Sequence, residues 1–366
     1  MNKQYPKFFS DCMTTHGQAM AATVCKGSNI ASGFATSEPS RFYMDLWEHI
    51  QKNDLTDISI RQALFLGPYP LLVGDALKSK GLFNGLASNG RKSSILGNLA
   101  HRANTITKKM EGLGKLIEHF KELQDRRIRF ISAFIGPATN MVIPSNPITK
   151  TLYPNFAGRN KTRMGILDMQ SLHFKDAIAM ARKSNGDLRY NVAAVVMTPP
   201  NENGELSHGV ASGGTPYLLN FALQSDECKI LLYVNKNYPF TRGYKDAKNT
   251  IHIDEFKTAA KQGRLYIVED DSPVPSLPAG SFDHPSKAEL DIADNVVNHM
   301  EMTKELTYGR AIQVGIGGTG VMAIKRLMNS NWYGDSYTEM LEPFTYDLYE
   351  AGKIHGSHFI DPDGRR

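Results

Sequence analysis

Four glycines within six residues, Gly315, Gly317, Gly318 and Gly320, form the stretch of this 366-residue chain best suited to chemistry. Ala311-Ile-Gln-Val ahead of them reads as a buried strand, and Val321 to Leu327 behind them as a helix. Glycine lets the main chain turn tightly and brings bare amides close to a ligand. A helix start adds unpaired N–H groups and a partial positive charge. The loop can therefore hold a phosphate, or stabilise the oxyanion of a thioester carbonyl. The plainer alternative is a tight strand-to-helix turn without a ligand. Gly315-x-Gly317-x-x-Gly320 also matches the dinucleotide fingerprint, which is followed by a second strand ending in an acidic residue. Asp335 stands near the right spacing, but Asn331-Trp-Tyr-Gly-Asp335 reads as loop, and only 46 residues follow Gly320.

A second group of candidates surrounds a double proline. Val195-Val-Met-Thr-Pro199-Pro200-Asn-Glu202-Asn-Gly204 ends a strand in a rigid turn with an acidic, glycine-terminated tip. Glu202 is a weak candidate nucleophile. Glu339, in Tyr337-Thr-Glu339-Met, reads as a strand residue whose carboxylate bonds neighbouring backbone. His173 and His252 are single histidines in apolar segments and read as structural. Cys12, Cys25 and Cys228 are scattered and odd in number, which suits neither a disulfide framework nor a zinc site. No metal is expected, and a reducing compartment, the cytoplasm, fits.

The elements that must position these residues follow from periodicity. His16 to Cys25 reads as helix and Ile30 to Phe34 as strand. Ser37 has the form of an N-cap, with Pro39 in the first turn. Phe42, Leu46, Trp47 and Ile50 then mark one apolar helical face. Strand followed by helix is the unit of a parallel sheet. Further strands are expected at Ile58–Leu66, Arg129–Ile135, Tyr190–Met197 and Lys229–Val234, with a long loop from Gly136 to Arg163. Between about 73 and 127 lies a helical insertion. Arg91 to Arg129 carries ten Lys/Arg against four Asp/Glu, and Ile106, Met110, Leu113, Ile117 and Phe120 recur at helical spacing. Pro273, Pro275, Pro278 and Pro285 mark a linker, since prolines so close fit neither helix interior nor central strand. Ser286-Lys-Ala-Glu289 then has the form of a capping box.

At 41% apolar and 22% charged residues, with mean hydropathy −0.35, the composition is that of a globular protein without a bilayer-spanning stretch. A start without an apolar signal-peptide core agrees with an intracellular protein. The net charge of +5 is mild, and no basic run interleaves with aromatics, so neither nucleic acid nor membrane is an expected partner.

In order along the chain, the segments Val195–Gly204, Cys228–Pro239, Ile251–Asp254, Glu269–Pro278, Gln313–Gly317, Thr338–Met340 and Asp347–Gly352 resemble the acetyl-CoA hydrolase/transferase family, which includes the 4-hydroxybutyrate and butyrate:acetate CoA-transferases. The likeness is good over about 190–354 and extends weakly to the start, where Glu38-Pro39 resembles the family's Glu-Pro turn. It implies an open α/β/α domain (1–272), a linker (273–285), and the opening of a second, similar α/β domain (286–366), with the active site between the two. It also implies coenzyme A as substrate. A glutamate attacks an acyl-CoA thioester, a glutamyl-CoA thioester forms, and a small carboxylate or water resolves it. Gly315, Gly317, Gly318 and Gly320 would lie against the CoA thioester. Glu38, Pro39, Pro199, Pro200, Gly204 and Glu339 would line the cleft.

The chain departs from the family in three ways. Gly318-Thr-Gly320 replaces Ala-Ile-Pro, residues 73–127 lack a counterpart, and the family's nucleophilic glutamate would come after Arg366. Glu202, in Asn-Glu-Asn-Gly, resembles the nucleophile motif of the two-subunit CoA-transferases but stands at a different position. The resemblance thus leads to the expectation of a homo-oligomer or a complementing subunit, with a chain that alone lacks turnover. The alternatives are a nicotinamide-dependent oxidoreductase and a non-catalytic CoA-binding module.

Overall fold

The computed structural model describes residues 5–33, 35–62, 65, 69–74, 114–116, 118–132, 167–169, 181–183, 185–210, 213–244, 247–275, 285–306, 311–315, 318–336, 338 and 343–354. The chain forms two compact units, Met1–Ser276 and Leu277–Gly364.

The first unit is built on a seven-stranded parallel sheet. Its strands are β1 (Asn29–Ser32), β2 (Ser59–Arg61), β3 (Arg129–Ser132), β4 (Leu167–Met169), β5 (Val192–Met197), β7 (Lys229–Asn235) and β11 (Leu265–Asp270). The spatial order is β11-β7-β5-β1-β2-β3-β4. Short antiparallel pairs decorate it: β6 (Glu205–Ser207) with β10 (Thr250–His252), and β8 (Gly243–Tyr244) with β9 (Ala247–Lys248).

All six residues of β5 are buried, as a strand covered on both faces requires. Its side chains alternate between two cores. Val192, Ala194 and Val196 meet Phe42, Leu46 and Ile50 of the helix Ser40–Lys52 on one face. Ala193, Val195 and Met197 meet Leu219 and Ala222 of the helix Thr215–Gln224 on the other. The fold is therefore an open α/β/α sandwich.

Ser37 does not cap the helix. Residues Ala35–Ser37 form a 3-10 turn, the helix begins at Ser40, and Pro39 stands at its cap position without a side-chain bond. The cause is the chain's doubling back at Gly33, where any Cβ would collide with the Ser37 carbonyl. Of the expected insertion, the described part includes helical residues within 114–125, whose Leu116, Phe120 and Leu123 enter the first core. Ile106, Met110, Leu113, Ile117 and the loop read from Gly136 to Arg163 lie outside the described residues.

In the second unit the Ser286/Glu289 capping box is formed and opens the helix Lys287–Met302. Helices Gly318–Leu327 and Pro343–Glu350 follow. Parallel bridges join Ile312 to Ser336 and Gly334 to Ile354. Asn331–Asp335 is loop, as read, with isolated bridges at Gly334 and the following Ser336. Trp332, 1% exposed and packed with Val297, Ile324, Leu327 and Leu348, anchors it. Among the described residues no helix is long and apolar enough to cross a membrane. The three cysteines are free thiols.

Candidate functional site

Ligands of open parallel sheets are held outside the carboxyl ends of the strands, where the direction of winding reverses. From β1 this chain winds outward to β4, then crosses to β5 on the other side and winds away to β11. The reversal lies between β1 and β5, whose following helices cover opposite faces of the sheet. The loop leaving β1 carries Glu38 and Pro39. The loop leaving β5 carries Pro199, Pro200 and Gly204. The structure brings these five residues to one edge of the first unit.

Gly33 ends β1, its N–H donating to the Ala194 carbonyl at 3.3 Å. The turn after it swings the Glu38 carboxylate into a buried position, 1% exposed. One carboxylate oxygen accepts from the Tyr69 hydroxyl, and the other from Gln62 Nε2 at 3.0 Å. The same Gln62 nitrogen also donates to the Gly33 carbonyl at 3.3 Å. Tyr43 Oη lies 2.5 Å from Ser32 Oγ. Tyr238 Oη donates to the Thr36 carbonyl at 2.7 Å. Burial pushes the hydroxyls of Tyr43, Tyr69 and Tyr238 well above the ordinary phenol range, and the negative charge of Glu38 raises each further. The arrangement is a buried carboxylate among neutral phenol donors. It can position an amide, hydroxyl or carbonyl group of a ligand.

The second loop is held by its own polar groups. Thr198 Oγ1 accepts from the Ser207 N–H, and Asn201 Oδ1 accepts from the N–H groups of Asn203 and Glu205, each at 2.9 Å. Gly204 adopts φ +76°, and a Cβ there would lie 2.8 Å from His252 Nε2. His252 bonds the Asn203 carbonyl at 3.0 Å and so braces the turn. Glu202 is exposed at its tip.

Within the second unit, the expected buried strand Ala311–Val314 is instead a partly exposed segment held by one bridge at Ile312, and Gly320 packs the start of its helix against that segment. A Cβ there would lie 2.8 Å from the Gly315 carbonyl and 2.9 Å from Val314 Cγ1. Gly318 faces the far end of the Glu289 side chain, which a Cβ would push aside, whereas a Cβ at Gly315 would meet nothing within 4 Å. Gly317 and Glu339 lie outside the described residues.

Sequence reasoning did not single out Gln62 or Tyr69. Both sit next to apolar segments and carry no motif. The only signal at Gln62 is polarity just past the carboxyl end of β2, and Tyr69 stands before the short helix Pro70–Val73 with none. A cavity of about 800 Å³ opens at the opposite, amino-terminal edge of the first unit, lined among others by Asn29, Arg182, Arg189, Asn191 and Phe221. Its cations are engaged locally: Arg182 stacks 4.1 Å over the Phe221 ring, Arg189 Nε donates to the Arg182 carbonyl, and Lys183 pairs with Asp187. Among the described residues no group of His, Cys, Asp and Glu is arranged to hold a metal ion.

No family model and no curated protein sequence matches the chain. Solved structures do. RipA from Yersinia pestis superimposes with a TM-score of 0.58 at 16% identity, over 95% of this chain and 59% of that one. 4-Hydroxybutyrate CoA-transferase from Porphyromonas gingivalis does so with 0.52 at 19% identity, over 96% and 60%. The chain spans about three fifths of the length of these structures. What the likeness establishes is the fold, and it is the CoA-transferase-like one.

Proposed function

We propose that this chain binds coenzyme A and serves acyl-CoA chemistry, as part of a CoA-transferase or acyl-CoA hydrolase acting on acetyl-CoA or another short acyl-CoA. The observation that carries this reading is the meeting of Glu38-Pro39 and Pro199–Gly204, the turns resembling the CoA-transferase motifs, at the winding reversal of a CoA-transferase-like sheet. In this reading the crevice residues bind and orient. The Tyr69 and Gln62 donors hold the Glu38 carboxylate in place, and the apolar strand ends around it exclude water from the ligand's arm. The glycine loop offers main-chain N–H groups to a thioester oxygen. The attacking glutamate is assigned to none of the described residues; Glu202, exposed on its turn, is the weak alternative. Water or a small carboxylate is the acceptor.

Three free thiols support a reducing compartment, the cytoplasm. Ile292, Val296 and Met302, exposed on the helix Lys287–Met302, support association with a second subunit. A nicotinamide dinucleotide is the second reading, favoured by the parallel bridges at Gly334 and Ser336 that flank Asp335 after Gly315-x-Gly317-x-x-Gly320.

Thermal unfolding separates the two. With ligand at about 100 times Kd, stabilisation of about 2.7 kcal/mol is expected from CoA or acetyl-CoA and none from NAD. A shift with NAD and none with CoA would replace the first reading by the second.

A further inference from the structure

Gln62 is the first residue beyond β2 and is 3% exposed. Its main-chain N–H stays in the sheet, donating to the Ile131 carbonyl at 3.1 Å. Its side chain reaches toward the end of β1, where Nε2 serves two acceptors, Glu38 Oε2 and the Gly33 carbonyl. Those acceptors fix the amide's orientation, because the reversed amide would set its oxygen against a carboxylate and a carbonyl. Gln62 Oε1 is consequently committed to the other side. It is buried there with no hydrogen-bond partner.

A buried acceptor without a donor is costly and rare in native proteins, so such an atom calls for a donor that arrives from elsewhere. Its neighbours restrict which donor. Glu38 has both oxygens occupied by Tyr69 and Gln62, and the surrounding phenols stay protonated. Among the described residues the position therefore offers phosphate neither a free donor nor a cation; the acceptor Gln62 Oε1 suits a neutral N–H. Resting on the reading of the crevice as a coenzyme A site, we infer that Gln62 Oε1 accepts an amide N–H of the pantetheine arm. Gln62 then positions the arm at the ends of β1 and β2. Its other atoms hold Glu38, so one side chain couples the β1 loop to the ligand.

The test uses calorimetric titration of the full chain with coenzyme A, with adenosine 3′,5′-bisphosphate, and with two coenzyme A analogues in which one or the other pantetheine amide is replaced by an ester. One of the two ester analogues should bind the unsubstituted protein about tenfold more weakly than coenzyme A. Gln62→Leu should weaken coenzyme A by about the same factor and leave adenosine 3′,5′-bisphosphate within twofold. The analogues keep the test decisive even where Gln62→Leu fails to fold. Both esters binding like coenzyme A would overturn the inference and point to an ordered water as the donor, with the coenzyme A reading intact. Equal weakening of coenzyme A and the bisphosphate by Gln62→Leu would also overturn it, by showing a general loss of the site. Absence of coenzyme A binding by the unsubstituted protein would overturn the proposed function itself, and the inference with it.

Discussion

Glu38→Ala lowers the stability of the first unit by roughly 2–4 kcal/mol, a fall in Tm of roughly 5–10 °C. The carboxylate is 1% exposed and accepts from Tyr69 and Gln62, so its removal deletes two charge-assisted hydrogen bonds at once. It also releases the β1 loop, whose tight turn leaves no room for a side chain at Gly33. Glu38→Gln keeps one acceptor oxygen and fills the same volume, and it should retain more than half of the lost stability. Calorimetric or circular-dichroism melting of the two variants checks this. An alanine variant as stable as the parent would show that Glu38 has no anchoring role.

The second large effect is expected at Gly320. A valine there places its Cβ against the Val314 side chain and against the Gly315 carbonyl, which as main chain cannot swing aside. Overpacking of this kind costs about 3 kcal/mol. The second unit is small, and its core rests on a few side chains around Trp332, so it is expected to loosen as a whole. Trp47 in the first unit and Trp332 in the second are the chain's tryptophans. In a Trp47→Phe background, Gly320→Val should therefore shift the remaining emission to the red, toward that of the unfolded chain. Gly318→Ala meets only the far end of the Glu289 side chain and should leave the emission unchanged. An unshifted spectrum for Gly320→Val would show that the close packing of the helix start on Val314 and Gly315 is dispensable.

The sheet was legible where burial leaves an uninterrupted apolar run. Val192–Met197 and Lys229–Asn235 read directly as central strands, because both of their faces are covered. Helix Ser40–Lys52 was legible because Phe42, Leu46, Trp47 and Ile50 share one face. The entry to that helix was not. Ser37 looks like a cap in sequence, and only the collision geometry at Gly33 explains why the chain makes a 3-10 turn first. Asn331–Asp335 is the loop that its polar, glycine-containing composition suggests, and what the composition did not show is that Trp332 buries in the core.

The site was half legible. Its glycines, prolines and Glu38 announce themselves through backbone restrictions and charge. Gln62 and Tyr69 do not, because their importance arises from meeting Glu38 across 24 and 31 residues of sequence. No local pattern encodes that meeting.

In the proposed function the ligand sits at the carboxyl-terminal edge of the first unit, between the loops that leave β1 and β5. Amide hydrogen exchange with and without saturating coenzyme A tests it most directly. Slowed exchange is expected at 35–38 and 201–204, with 182–189 and 221–228 unchanged. Protection confined to 182–189 and 221–228, around the cavity at the opposite edge, would contradict it.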